Sequence, residues 1–168
     1  MGDNKGYVKS MKIIYITGES AQGKSTFAKL LKGFHFEMDR MYVAYKIERD
    51  ILYDFDQSDW TTWENYPDLE IYKRYYYNIL KSILPEDCTL IVDSVTTAIK
   101  KERDIIEEVF NPEEVEMIIL KSKNHKENYL NKFKNQPKPK TVDDFNYKNK
   151  VFREGLEPCE NTTIYERI

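Results

Sequence analysis

The residues Gly18-Glu19-Ser20-Ala21-Gln22-Gly23-Lys24-Ser25, followed by Thr26, fit the spacing G-x-x-x-x-G-K-[ST]. Each type has a task at a polyphosphate. Gly18 and Gly23 let the backbone turn sharply and approach an anion with no Cβ in the way. Successive N–H groups, and the N-terminus of a helix that follows, donate to phosphate oxygens. Lys24 brings a full positive charge to the β- and γ-phosphates, and the Ser25 hydroxyl can ligand Mg²⁺. A second candidate is Leu90-Ile91-Val92-Asp93-Ser94, an apolar run closing on a carboxylate that can face the same metal ion. A third is Asp39, just past a short apolar stretch. Phosphoryl transfer to an alcohol needs a base or orienter near the nucleophile, a role a carboxylate can fill. The same residue would equally cap a helix beginning at Met41, and the two roles are compatible.

These residues need elements to hold them. Met11–Thr17 (MKIIYIT) reads as a strand, and Lys24–Lys32 as a helix stopped by Gly33. Phe34–Met38 reads as a second strand and Met41–Tyr53 as a helix. A polar, irregular stretch then runs to Asp68 and contains Trp60 and Trp63. Leu69–Leu84 is strongly periodic, with Ile71 or Tyr72, Tyr75, Tyr76, Ile79, Leu80, Ile83 and Leu84 available for an inward face. Strands are expected at Cys88–Asp93, Val115–Lys121 and Thr162–Tyr165. Helices are expected at Lys100–Phe110, His125–Lys134 and from Thr141 to about Arg153, the last with a Thr141-x-x-Asp144 capping signal. Strands alternating with helices imply a mostly parallel sheet covered on both sides.

Composition narrows the classes. The chain has 168 residues, 40% hydrophobic and 14% aromatic, which suits one domain and is too apolar for disorder. There is no apolar run long enough to span a membrane and no apolar signal core in residues 1–10, which read as a flexible leader. Two distant cysteines, Cys88 and Cys159, make neither a disulfide framework nor a zinc site, so a reduced, cytoplasmic setting is expected. The net charge of −3 argues against a globally basic nucleic-acid binder. Residues 121–150, however, hold nine lysines against three acids. They form either a solvated helical surface or a basic flap over a polyanion. His35 and His125 stand alone at no metal-ligand spacing and receive no role.

The stretch KIIYITGESAQGKSTFAKLL carries a resemblance to small P-loop kinases, and in particular to polynucleotide 5′-hydroxyl kinases and zeta-toxin-like kinases. Weaker matches are Phe36–Arg40, the Asp93-Ser94 strand end, and the basic stretch 132–142. The resemblance runs from Met11 to about Glu157. It implies a P-loop NTPase three-layer α/β sandwich with a mostly parallel, roughly five-stranded sheet and helical lid segments. It further implies one domain over 11–168, with an acceptor or lid insertion at 54–87 and a basic lid at 123–150. ATP and Mg²⁺ are the implied substrate and cofactor, Asp39 the implied base, and Ser25 with Asp93 the implied metal ligands.

The family's lid brings an arginine to the transferring phosphoryl group, whereas 132–140 offers only lysines, so Lys134 or Lys138 would have to substitute. Arg74, Arg103 and Arg153 are further cations whose reach a sequence does not reveal. Trp60 or Trp63 could stack a base, or simply fill the core. The acceptor is left open between a nucleic-acid 5′-hydroxyl, a nucleoside or nucleotide, and another small hydroxyl compound. Arg40 keeps a nucleoside monophosphate kinase in view. A regulatory ATPase without an acceptor, and a toxin-like kinase acting on a sugar nucleotide, are rival readings.

Overall fold

Apolar runs that alternate their two faces between two helical layers need a sheet covered on both sides, and the chain builds one. A computed structural model describes residues 11–19, 22–48 and 67–167. The strands are β1 (Lys12–Thr17), β2 (Phe34–Glu37), β3 (Thr89–Asp93), β4 (Glu114–Ser122) and β5 (Thr162–Arg167). They form one parallel sheet in the order β2-β3-β1-β4-β5. The helices are α1 (Lys24–Ala28), α2 (Met38–Glu48), α3 (Leu69–Ile83), α4 (Lys100–Phe110), α5 (His125–Phe133) and α6 (Val142–Gly155), with a 3₁₀ turn at Val95–Ala98.

Period-two alternation sorts each strand's side chains. Ile13, Tyr15, Phe36, Leu90, Val92, Met117 and Ile119 turn to one face, where α2, α3 and α4 cover them with Met41, Tyr45, Tyr77, Leu80, Ile105 and Phe110. Ile14, Ile16, Ile91, Ile118 and Leu120 turn to the other, beneath Phe27, Ala28 and Leu31. The expected α/β sandwich with a five-stranded parallel sheet is therefore the observed fold.

Several boundaries differ from expectation, each for a local reason. The first helix ends at Ala28, four residues early. Leu30 N–H and Leu31 N–H donate to the carbonyls three residues back, tightening the chain into a turn. Gly33 then enters β2 at φ +150°, where a Cβ would stand 2.6 Å from the Thr89 carbonyl oxygen. The second helix begins at Met38, directly on β2, so Asp39 lies in its first turn instead of capping it from outside. The capping signal at the start of α6 is a complete capping box. Asp144 N–H donates to Thr141 Oγ1, and Thr141 N–H donates back to the Asp144 carboxylate. The leader at 1–10, residues 54–66 of the expected insertion, and Trp60 and Trp63 lie outside the described residues. Among the described residues no helix is long and apolar enough to cross a membrane.

The largest departure is the inward face of α3. The buried positions are Leu69, Lys73, Tyr77 and Leu80, while Ile71, Tyr75, Ile79 and Ile83 are exposed. Lys73 is fully buried because α4 presents Glu102 to it. Lys73 Nζ donates to Glu102 Oε1 and Oε2 at 2.8 and 2.6 Å, and Tyr42 of α2 donates to Oε2 at 3.2 Å. Burial pushes the Lys73 amine below its ordinary pKa, and Glu102 partly opposes that shift. Removing one member of such a pair strands a charge in the core, which costs about 3–5 kcal/mol. Lys73→Ala should lower the urea unfolding free energy by that amount. Lys73→Met combined with Glu102→Leu should recover most of it, because neither charge is then left alone.

Candidate active site

In a parallel α/β sheet, ligands bind beyond the carboxyl ends of the strands. Those ends here present Thr17 of β1, Glu37 of β2 and Asp93 of β3. The loop leaving β1 turns at Gly18 with φ +148°, and Gly23 opens α1 in the left-handed region at φ +81°. A Cβ on Gly18 would lie 2.7 Å from the Leu120 carbonyl oxygen, so the loop must pass β4 at a distance only glycine permits. Glu19 follows, and Gln22 is buried with its Oε1 lacking a partner among the described residues. Ser20 and Ala21 lie outside the described residues.

A cleft of about 420 Å³ opens on this loop, lined by Gly23, Lys24, Ser25, Thr26, Asp39, Asp93, Val95, Tyr129, Lys132 and Phe133. Gly23, Lys24, Ser25, Thr26, Asp39 and Asp93, half of the sequence-nominated residues, thus share one cavity. Lys24 reaches back across the loop and donates to the Glu19 carbonyl oxygen at 2.8 Å. Ser25 Oγ donates to Asp93 Oδ1 at 3.3 Å, so hydroxyl and carboxylate face the same point. This pair of hard oxygen ligands suits Mg²⁺. Asp39 is held by Ser94, whose hydroxyl donates to Asp39 Oδ1 at 3.2 Å and also accepts from Thr96 N–H. Burial pushes the Asp93 carboxyl above its ordinary pKa. The hydrogen bond and charge of His35 pull it back, and Asp39 and Glu37 add to the rise.

Lys134, the expected lid cation, is not among the lining residues. It is exposed at the end of α5, and Lys132 lines the cleft instead. Residues two apart on a helix face nearly opposite ways, and sequence spacing alone did not fix which way α5 faces. The orientation follows from an aromatic cluster of Tyr129 with Phe133 and Phe145, which joins α5 to α6. That hairpin brings a guanidinium and an imidazole to the phosphate loop. Arg153 binds the Glu19 carboxylate, and His125 Nε2 lies 3.1 Å from Glu19 Oε2. Arg153 also lies over the Phe145 ring, with 5.5 Å between its guanidinium carbon and the ring centroid. Its place was not readable beforehand, since the contact joins residues 134 positions apart.

His35, given no role in the sequence, contacts Asp93 directly through Nε2. A larger open cleft of about 660 Å³ lies at the amino ends of the strands, against Met11, Pro85, Glu86 and Glu113, and holds none of the nominated residues.

No protein-family model and no curated protein matches the chain. Solved structures do resemble it. A sugar kinase from Janibacter sp. HTCC2649 superposes with a TM-score of 0.55 at 15% identity, over 94% of this chain and 85% of that one. A gluconokinase from Sinorhizobium meliloti 1021 gives a TM-score of 0.53 at 13% identity, over 92% and 82%. A chain from Chloroflexus aurantiacus J-10-fl gives 0.57 at 15%, over 95% and 86%. At these identities the likeness establishes the fold. The narrower resemblance to polynucleotide 5′-hydroxyl and zeta-toxin-like kinases has no counterpart among these three neighbours.

The backbone of Gly18 makes one stability prediction independent of any ligand. Gly18→Ala places a methyl group against the Leu120 carbonyl at an unfavourable φ. It should destabilise the protein by about 1–3 kcal/mol, read as a fall in the urea midpoint. An equally placed alanine at Gly155, where the nearest atom is an Ile99 side-chain carbon at 3.5 Å, should not.

Proposed function

We propose that the protein is an ATP-dependent kinase that transfers the γ-phosphoryl group to a hydroxyl of a small, uncharged or weakly charged polyhydroxy compound of the sugar class. The observation that carries this reading is the charge division across the cleft. Lys24, Lys132 and Arg153 gather at the phosphate loop. Glu37, Asp39 and Asp93 gather at the ends of β2 and β3. A triphosphate is attracted to the first wall. A phosphorylated acceptor would be repelled by the second, whereas an alcohol would find hydrogen-bond acceptors there. Arg40, the residue that kept a nucleotide acceptor in view, is 80% exposed and engaged with Glu37 at 2.5 Å. Lys134, Lys138 and Lys140 are exposed outside the cleft lining, which lends little support to a polynucleotide track. The sugar kinase among the structural neighbours supports the same acceptor class.

In this reading the loop from Gly18 to Thr26 cradles the β- and γ-phosphates through its N–H groups. Lys24 exchanges the Glu19 carbonyl for phosphate oxygens. Ser25 and Asp93 would hold Mg²⁺, which when bound neutralises charge on the phosphates. Asp39 accepts the acceptor's hydroxyl proton as the oxygen attacks the γ-phosphorus, and ADP leaves. Ser94 keeps the Asp39 carboxylate aimed at that proton. Arg153 follows the charge as it grows on the transferring group, with the α5–α6 hairpin excluding water.

The test is transfer of label from γ-labelled ATP to a panel of sugars and sugar acids, beside nucleosides, nucleotides and a 5′-hydroxyl oligonucleotide. Label should appear on a sugar-class acceptor. Asp39→Asn should reduce kcat by about 10²–10⁴-fold with ATP affinity retained. Lys24→Ala should reduce kcat by at least about 10²-fold. Transfer only to the oligonucleotide or to a nucleotide would reject the acceptor class. ATP binding with no transfer to any acceptor would reject the kinase reading in favour of a regulatory ATPase.

A second comparison separates the two candidate lid cations. Arg153→Ala should lower kcat more than Lys134→Ala does, by about tenfold or more, since only Arg153 reaches the loop. The reverse ranking would return the role to Lys134.

A further inference from the structure

Three side chains beside the phosphate site form a set that phosphate chemistry does not require. Alternation along β2 puts His35 and Glu37 on one face, with Phe36 turned the other way into the core. Register pairs Glu37 with Asp93 across the β2–β3 ladder. One imidazole nitrogen and one carboxylate oxygen from each acid lie within 4.8 Å of one another. The side chains are largely screened from water, with exposures of 15% for His35, 23% for Glu37 and 7% for Asp93. Two carboxylates at that spacing repel each other, and a divalent cation between them removes the repulsion.

We propose that His35, Glu37 and Asp93 form a protein-built binding site for a divalent first-row transition-metal ion, of the Mn²⁺ or Zn²⁺ class, occupied without any nucleotide. A nucleotide-borne Mg²⁺ needs only hard oxygen ligands, which Ser25 and Asp93 supply. An imidazole nitrogen adds a softer ligand, which favours transition metals over Mg²⁺. Three protein ligands leave further coordination positions open towards the cleft. Asp93 serves both places with different oxygens: Oδ1 accepts from Ser25, and Oδ2 meets His35. Arg40 donates to one Glu37 oxygen, and a carboxylate has lone pairs enough for a metal ion as well. The ion would sit next to Asp39, at the acceptor end of the cleft. The inference rests on the kinase reading for what the ion serves, not for whether it binds.

The experiment is a titration of the metal-stripped, nucleotide-free protein with Mn²⁺, following loss of the free-ion electron paramagnetic resonance signal. Zn²⁺ is measured in parallel by competition with a chromophoric chelator. One ion should bind per chain, and millimolar Mg²⁺ should displace it poorly. Loss of an outer partner of a metal site typically costs 10–100-fold in affinity. His35→Gln should therefore weaken binding by about 100-fold or more. Glu37→Gln leaves the His35–Asp93 contact in place and should weaken binding similarly, which separates ligation from a structural hydrogen bond. Circular dichroism and thermal unfolding check that both variants fold.

ATP binding, measured separately, keeps the two readings apart. Lys24→Ala should lose ATP affinity and keep Mn²⁺ affinity. Wild-type protein that binds ATP but neither metal ion overturns the metal site and leaves the kinase reading standing. Binding that survives both substitutions, or that Mg²⁺ matches, also overturns it.

Discussion

The end of β1 is bound to the end of β3, and the cleft depends on that junction. Ser94 N–H donates to the Ile16 carbonyl at 3.2 Å, Thr97 Oγ1 to the same oxygen at 3.4 Å, and Thr17 Oγ1 to the Val95 carbonyl at 3.3 Å. All of these side chains are buried, so each polar group must find a partner within the protein. The junction fixes where the phosphate loop begins relative to Asp93 and, through Ser94, relative to Asp39. Arg103 braces it from behind. Its guanidinium, buried in α4, donates to the Thr97 carbonyl at 2.7 Å and to the Glu157 carbonyl at 2.5 Å. Glu157 N–H in turn donates to the Ala98 carbonyl at 2.9 Å. The 3₁₀ turn is therefore held between the carboxyl end of β1 and the segment that follows α6.

Legibility from sequence divided along the range of the interactions. The phosphate loop, the strand before it and the Asp93 strand end were readable because their signals are local in the chain and their chemistry demands those residue types. The parallel sheet followed from alternation of apolar runs with helical ones. What was not readable depended on partners far away. Of the inward face expected for α3, Tyr72, Tyr76, Leu80 and Leu84 do meet the core, but Ile71, Tyr75, Ile79 and Ile83 do not, and a lysine lies inward because Glu102 comes from another helix. Helical periodicity counts apolar residues and has no means of anticipating a buried ion pair. The 3₁₀ turn at Val95–Ala98 was missed for a similar reason, since its hydrogen bonds reach β1, Arg103 of α4 and Glu157 beyond α6 as well as its own neighbours. Arg153 and His125 meet at Glu19 only through the tertiary packing of α5 on α6. His35 was set aside for lack of neighbouring ligands, although Glu37 two residues on shares its strand face. The partner that completes the set, Asp93, is 58 residues distant.

A carboxylate within a phosphate loop looks unhelpful for binding anions, and Glu19 is 13% exposed. Its surroundings account for it. Arg153 and His125 both meet its side chain, while Lys24 is held by its backbone carbonyl rather than its charge. Glu19 thus holds the Arg153 guanidinium at the rim of the loop, with the His125 imidazole beside it. Arg153 is therefore already ordered at the loop, and in the proposed reading the cost of ordering it does not fall wholly on phosphate binding. The cost is that Glu19 repels the same phosphate, and the balance favours binding only where the cations outnumber it. Here they do, with Lys24 and Lys132 added to Arg153.

The opposite wall works in the reverse sense. Glu37, Asp39 and Asp93 sit on the ends of adjacent strands or in the first turn beyond them, so the parallel register alone brings them together. Such a wall disfavours an anionic acceptor. Within it the Asp93 carboxyl has its pKa raised by burial, with a smaller push from Asp39 and Glu37. The strand register that places Glu37 opposite Asp93 therefore does two things at once. It sets the electrostatics at the ends of β2 and β3, and it places the imidazole of His35 beside the carboxylates of Glu37 and Asp93. A sheet with β2 shifted by one residue would turn Phe36 to the cleft and lose both.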